Sequence, residues 1–130
     1  MGKYQISFFV KIGIINLTIV AMIGTLMRYK IGFEFPFFEQ KNIQHAHSNF
    51  AFTGWISHSL FTFICYSYWQ EFSTEVQRRF IKLINANLIF AFGLLISFFV
   101  QGYGYFSISF TILSILTAIL FAATFFSVVK

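Results

Sequence analysis

Four long apolar stretches decide what this sequence can fold into. They run over residues 5–27, 45–68, 81–100 and 108–129. Each has roughly the 20 residues that an α-helix needs to cross about 30 Å of hydrocarbon. Helices and closed barrels are the only backbone forms that cross lipid, and these stretches lack the alternating pattern of a barrel strand. We therefore predict an all-α integral membrane four-helix bundle, with residues 1–130 forming a single transmembrane domain.

The charge content supports a membrane location rather than a soluble one. Only 10% of the residues are charged, whereas soluble domains carry about 25%. The net charge of +5 would suggest nucleic acid as a partner for a soluble chain. Here the Lys and Arg residues lie mostly at the ends of the apolar stretches, where they meet lipid headgroups. The predicted partner is therefore the lipid bilayer, and no nucleic-acid partner is expected.

The distribution of cations predicts the orientation of the four helices. An even number of spans places both termini and the second loop on one side of the membrane. That side has five cations and the other has three. Because cytoplasmic loops carry the excess of Lys and Arg, both termini are predicted to be cytoplasmic. The first group is Lys3, Arg78, Arg79, Lys82 and Lys130, and the second is Arg28, Lys30 and Lys41.

His47, near the start of the second stretch, is the main candidate for a functional residue. An ionisable side chain there is costly, and histidine is a common axial ligand of haem iron. In an α-helix, His47, Ala51, Gly54 and His58 would share one face, where the small residues leave room for a flat group or a close helix. His47 and His58 are roughly 16 Å apart along such a helix, too far to share one iron. The residues alone leave ligation and simple packing of His47 equally open.

The other candidate ligands have simpler structural interpretations. His58 is predicted to be a packed histidine that forms a hydrogen bond to a neighbouring helix. His45 points away from His47 on a helix, so the two could chelate a metal only from extended backbone. Cys65 is the single cysteine and is predicted to be a small buried residue, since no CxxC or zinc spacing is present. All four carboxylates fall in loops, which argues against a proton relay or a transporter.

The run from His47 to Phe61 resembles a segment of a known protein family. His47-Ser48-Asn49, Gly54 and Leu60-Phe61 resemble the second helix of haem–copper oxidase subunit I, especially in cbb3-type oxidases, nitric oxide reductases and the related NnrS proteins. The resemblance covers this short core and the spacing of the surrounding spans. It implies an N-terminal four-helix portion, or a short relative, in the bacterial inner membrane as a multi-pass protein. It also implies that His47 is an axial ligand of a low-spin haem b.

The same resemblance assigns further site residues. Asn49 would orient a loop or the imidazole partner of His47, and Gly54 matches the glycine that follows the histidine by seven residues. Arg28 or Lys30 lies at the right end to pair with haem propionates, although both can equally anchor the first helix at the headgroups. His45 and His58 complete the candidate cofactor-binding residues. The copper-site and second-ligand histidines of the family belong to later helices, so this chain is not predicted to be an oxidase by itself.

Two functions of different class follow from these observations. The first is a haem-binding, electron-transfer-type membrane protein in which His47 ligates the haem iron. The second is a non-enzymatic four-helix membrane subunit or assembly protein whose histidines are structural. The first requires a source for the second axial ligand: His45, further C-terminal helices, another membrane subunit, or a second copy that presents its own His47.

Overall fold

The computed structural model describes residues 3–129, and their regular secondary structure is entirely helical. Helix α1 comprises Lys3–Gly32. The second helical segment consists of α2 (Gln40–Phe50), a π-helix (Ala51–Ser57) and α3 (His58–Ser67), which follow one another without a break. Helices α4 (Thr74–Gln101) and α5 (Tyr105–Val128) complete the chain. The all-α prediction is confirmed.

Three of the helices are long and apolar enough to cross a membrane, judged by length and composition. They are Gln5–Gly32, Thr74–Gln101 and Tyr105–Val128. Large apolar side chains cover their outer faces; Met22, Ile96 and Ile119 are each more than half exposed. A soluble monomer rarely presents so much contiguous apolar surface. The remaining predicted span, 45–68, is the second helical segment, in which the π-helix interrupts the α-helical pattern.

The loops are shorter than predicted, because the helices continue into polar residues. Residues 70–80 were expected to form the second loop, but α4 already begins at Thr74. Ser73 caps this helix by accepting a hydrogen bond from the Val76 backbone N–H, at 3.4 Å. The Gln77 side chain then fixes the loop by donating to the carbonyls of Trp69 and Phe72. A helix end set by such caps lies beyond the limits of the apolar stretch.

The third loop was predicted over residues 101–107 and is only three residues long. Gly102 adopts a φ of 62°, a left-handed conformation that glycine enters without steric cost. The Ser107 hydroxyl donates to the Gly102 carbonyl at 2.8 Å. These contacts join α4 to α5 through a tight turn, so the two helices pack along their length.

The helices pack in chain order. Helix α1 lies against the second helical segment, which lies against α4, and α4 lies against α5. Near the second loop, an aromatic core joins three of these layers: the rings of Phe61 and Phe121 stack at 3.9 Å, and Phe80 lies 4.9 Å from Phe121. Cys65 is fully buried in this core, as predicted.

Hydroxyl groups within α5 are satisfied inside the helix. Thr117 donates to the Leu113 carbonyl at 2.8 Å, and Thr124 donates to the Leu120 carbonyl at 2.7 Å. Hydrocarbon offers no hydrogen-bonding partner, so a polar side chain there must find one within the protein. The back-bonding to the preceding turn therefore makes these threonines compatible with a membrane.

Candidate functional site

Both His47 and His58 contact α1, which runs antiparallel to the second helical segment. A Cβ atom on Gly24 would lie 3.2 Å from Cε1 of His47, and one on Gly13 would lie 3.7 Å from Cδ2 of His58. Each imidazole thus packs against a glycine of α1. The absence of a side chain at these glycines lets each ring approach the α1 backbone closely.

His58 is committed to a structural hydrogen bond. It is fully buried, and its Nε2 lies 2.9 Å from the backbone carbonyl oxygen of Phe9 in α1. A carbonyl only accepts, so Nε2 carries the proton and donates. The Phe9 ring also meets the imidazole edge-on, with 5.9 Å between the ring centroids. This is the packed, interhelical histidine that the sequence predicts.

His47 has no comparable hydrogen bond. Its ring is partly exposed, and its Nδ1 is buried without a hydrogen-bonding partner among the described residues. A buried polar atom in a folded protein nearly always has a partner, so this one calls for an explanation. Four cavities of about 310–1020 Å³ in the described part of the chain have linings that do not include His47.

Two asparagines hold the π-helix from opposite sides. Asn16 of α1 donates from Nδ2 to the Gly54 carbonyl at 2.5 Å, and Asn87 of α4 donates to the neighbouring Thr53 carbonyl at 2.9 Å. Oδ1 of Asn16 and Nδ1 of His58 are buried and unpaired, like Nδ1 of His47. Three unsatisfied polar atoms therefore lie along the α1 interface. A π-helix itself is rare and often marks a functional site.

Gly54 and Asn49 each contact the residue four positions earlier in their own helical segment. The Phe50 ring covers Gly54 so closely that a Cβ there would lie 2.5 Å from it. That ring occupies space beside the glycine that a flat group would need, whereas the close helix, the other predicted use of this space, is present as α1. Asn49 donates to the His45 carbonyl of its own helix at 2.8 Å.

His45 faces a different region of the molecule. Its ring lies 5.9 Å from that of Phe98 in α4 and 4.6 Å from that of Tyr103 in the third loop. It therefore does not share an iron with His47 within one chain. The prediction that these two histidines point apart agrees with this placement.

Arg28 lies one turn beyond Gly24, near the end of α1 that carries the His47 contact. It is exposed. The neighbouring Lys30 donates instead to the backbone carbonyls of Phe35 and Phe38, which fixes the first loop. Of these two cations, Arg28 is the one available to an anionic group at this end.

The three histidines differ in whether another group already occupies their ring nitrogens or faces. His47 offers an imidazole that makes no competing hydrogen bond through Nδ1, whereas His45 and His58 face other partners. Within residues 3–129, no group of three or more His, Cys, Asp or Glu side chains is placed to hold a metal ion. A haem bound at His47 would require its second ligand from elsewhere.

No protein-family model matches the sequence, and it has no significant match among curated proteins or solved structures. The likeness to oxidase subunit I therefore rests on the residues of the second helical segment and remains a prediction.

Proposed function

We propose that this chain is a four-helix integral membrane subunit that supplies His47 as one axial ligand of a b-type haem. The observation that carries the proposal is the unpaired, buried Nδ1 of His47, beside Gly24 and one turn before a π-helix. Leaving such an atom unpaired costs about 1–3 kcal/mol. Iron bound through Nε2 would leave Nδ1 protonated as a donor, and an acceptor supplied by a partner or by the haem periphery would recover that cost.

The residues around His47 have distinct roles in this proposal. His47 would bind iron through Nε2, while the α1 backbone at Gly24 limits rotation of its ring. Asn16 and Asn87 fix the π-helix that follows, so the position of α2 relative to α1 and α4 is fixed too. The haem would supply one-electron transfer. With both termini in the cytoplasm, the site would lie toward the outer surface of a bacterial inner membrane, where exposed Arg28 can pair with a propionate.

The second axial ligand would come from outside the described residues. A second copy presenting its own His47, a further helix or another subunit would each satisfy the iron. A haem-to-chain ratio of one to two in a dimer would identify the first of these sources. A ratio of one to one would indicate a ligand from another segment or subunit.

The test is a reduced-minus-oxidised visible spectrum of the chain purified in mild detergent with its native partners. We expect sharp low-spin bands that are lost in His47→Ala and retained in His45→Ala, the matched control. Bands of undiminished intensity in His47→Ala would refute the ligand role. A colourless wild-type preparation with its partners still bound would refute haem binding itself.

A structural subunit or assembly protein is the second candidate function. The observation in its favour is that His58 bonds to Phe9 and His45 packs on Tyr103, so two of the three histidines already have structural roles. This function predicts a colourless protein that co-purifies with a larger complex. It also predicts that His47→Ala changes stability without changing any spectrum.

A further inference from the structure

An apolar groove runs between α1 and the second helical segment on the outer surface of the molecule. Its volume is about 310 Å³. It extends from Ile6 to Leu17 along α1, a rise of about 16 Å. That is about half of the roughly 30 Å hydrocarbon thickness of a bilayer, or one leaflet. The walls include Val10, Ile14 and Leu17 on one side and Trp55, Phe63 and Tyr66 on the other.

A larger, more polar cavity continues the groove at the end near the second loop. Its volume is about 1020 Å³, and it shares Ile6, Val10 and Tyr66 with the groove. Lys11, Trp69 and Gln70 are among the residues it adds, and its described lining contains no carboxylate. The lysine stem can carry its amino group toward the membrane surface, where Trp and Tyr rings also tend to lie.

We propose that the groove and the adjoining cavity together bind one anionic glycerophospholipid. The headgroup phosphate pairs with Lys11, and one acyl chain lies in the groove with its end toward Trp55. The polar cavity contains one lysine and overlaps the groove near Ile6 and Val10, and the apolar walls continue to Leu17 and Trp55. This order of surfaces matches a headgroup followed by the first part of an acyl chain. A second copy of the chain fits less well, because a symmetric contact would bring two Lys11 side chains together without a carboxylate. The proposal requires a membrane location but not the haem.

The two tryptophans of the chain allow a direct test, since Trp55 lines the groove and Trp69 lines the polar cavity. The full chain with Trp69→Phe is placed in phosphatidylcholine vesicles, and Trp55 fluorescence is followed. A fraction of the lipid is replaced by phosphatidylglycerol or phosphatidylcholine with brominated acyl chains, which quench tryptophan on contact. We expect brominated phosphatidylglycerol to bind about fivefold more tightly, the effect of one lysine near anionic lipid.

Matched variants separate the site from general surface charge. Lys11→Gln is expected to reduce the fivefold preference to near one, whereas Lys82→Gln, an exposed lysine of α4, is expected to leave it unchanged. Val10→Phe narrows the groove and is expected to reduce quenching by both lipids. Ile15→Phe, which is exposed on α1 outside the groove, is the control. Circular dichroism verifies that each variant is helical.

Several results would overturn the proposal. Equal quenching of the Trp69→Phe chain by both lipids would show no headgroup selection. Equal losses when Lys11→Gln or Lys82→Gln is added to that chain would show only surface charge. Loss of the preference in excess inorganic phosphate would indicate a phosphate site rather than a lipid site. If Trp55 of the Trp69→Phe chain is shielded from both lipids, and adding Val10→Phe removes both the shielding and dimerisation, a second copy occupies the groove.

Discussion

The second helical segment has two interfaces, and they differ in how well their polar atoms are satisfied. Toward α4, the Asn87 amide bonds to Thr53, and apolar contacts such as that of Phe50 with Phe92 fill the remainder. Toward α1, three buried polar atoms lack partners among the described residues. Packing alone accounts for the α4 side. The α1 side has unmet hydrogen-bonding capacity, which gives an additional group a physical reason to bind there.

Disrupting the aromatic core around Phe61, Phe80 and Phe121 should have the largest effect on stability, because this core has no unpaired buried polar atoms among the described residues and depends on packing alone. Phe121 is 2% exposed and stacks on Phe61 from the second helical segment. Phe121→Ala is expected to lower the free energy of unfolding by about 3–5 kcal/mol, because it removes a buried ring and leaves a cavity. Denaturant titration in detergent measures the loss. Phe126→Ala, at a ring that is 74% exposed in the same helix, is the control, and a similar loss there would contradict the packing described.

Replacing the two asparagines compares the two interfaces directly. Asn87→Leu is expected to cost about 1 kcal/mol, the usual scale of a hydrogen bond between helices in a membrane. Asn16→Leu is expected to cost less, since the change also removes the unpaired Oδ1. The same unfolding titration gives both values. An equal or larger cost for Asn16→Leu would mean that its Oδ1 has a partner in the working protein, such as a bound group.

Two glycine substitutions in α1 should have the smallest effects on stability, and they distinguish the position of the His47 ring from the stability of the helix. Gly32→Ala, at the last residue of α1, should stabilise the helix by less than about 0.5 kcal/mol, since a Cβ there would have nothing within 4 Å but the position is not interior. Gly24→Ala should gain less, because its Cβ would displace the His47 ring by a few tenths of an ångström. If His47 ligates haem, Gly24→Ala should also shift the reduction midpoint measured by potentiometric titration, whereas Gly32→Ala should not. Equal reduction midpoints for the two variants would contradict a role of the His47 ring as a haem ligand.

Apolar length predicted the helices well and their limits less well. The four stretches correctly indicate an all-helical chain, and three of them correspond to helices that can span. The second loop was predicted at residues 70–80 because that stretch is polar. Ser73 instead caps α4, which begins at Thr74, and Gln77 holds the shortened loop by donating to its carbonyls. An apolar stretch reports the thickness of hydrocarbon that a helix can match, whereas hydrogen bonds at the termini decide where the helix ends.

The candidate site was only partly predictable. The sequence identifies His47 and His58, and it predicts an interhelical hydrogen bond for His58. The acceptors could not be inferred, because they depend on the antiparallel register that sets Asn16 opposite Gly54 and Phe9 near His58. Of the two uses predicted for the space beside Gly54, the close helix is present, since Asn16 of α1 bonds to the Gly54 carbonyl. A flat group has no room on the side where Phe50, four residues earlier, folds over the glycine. A helical wheel shows which positions share a face but not which side chain covers another.

The π-helix over Ala51–Ser57 also has a consequence for insertions and deletions. Its wider rings take up more residues per turn than an α-helix does, so the segment holds surplus chain length between two fixed ends. A one-residue deletion there can be absorbed by a return to α-helical winding. The same deletion within His58–Ser67 would rotate every later side chain of that helix by about 100°. A one-residue deletion is therefore expected to be tolerated best within the π-helix, because the orientations of His47 and His58 relative to α1 can then be kept.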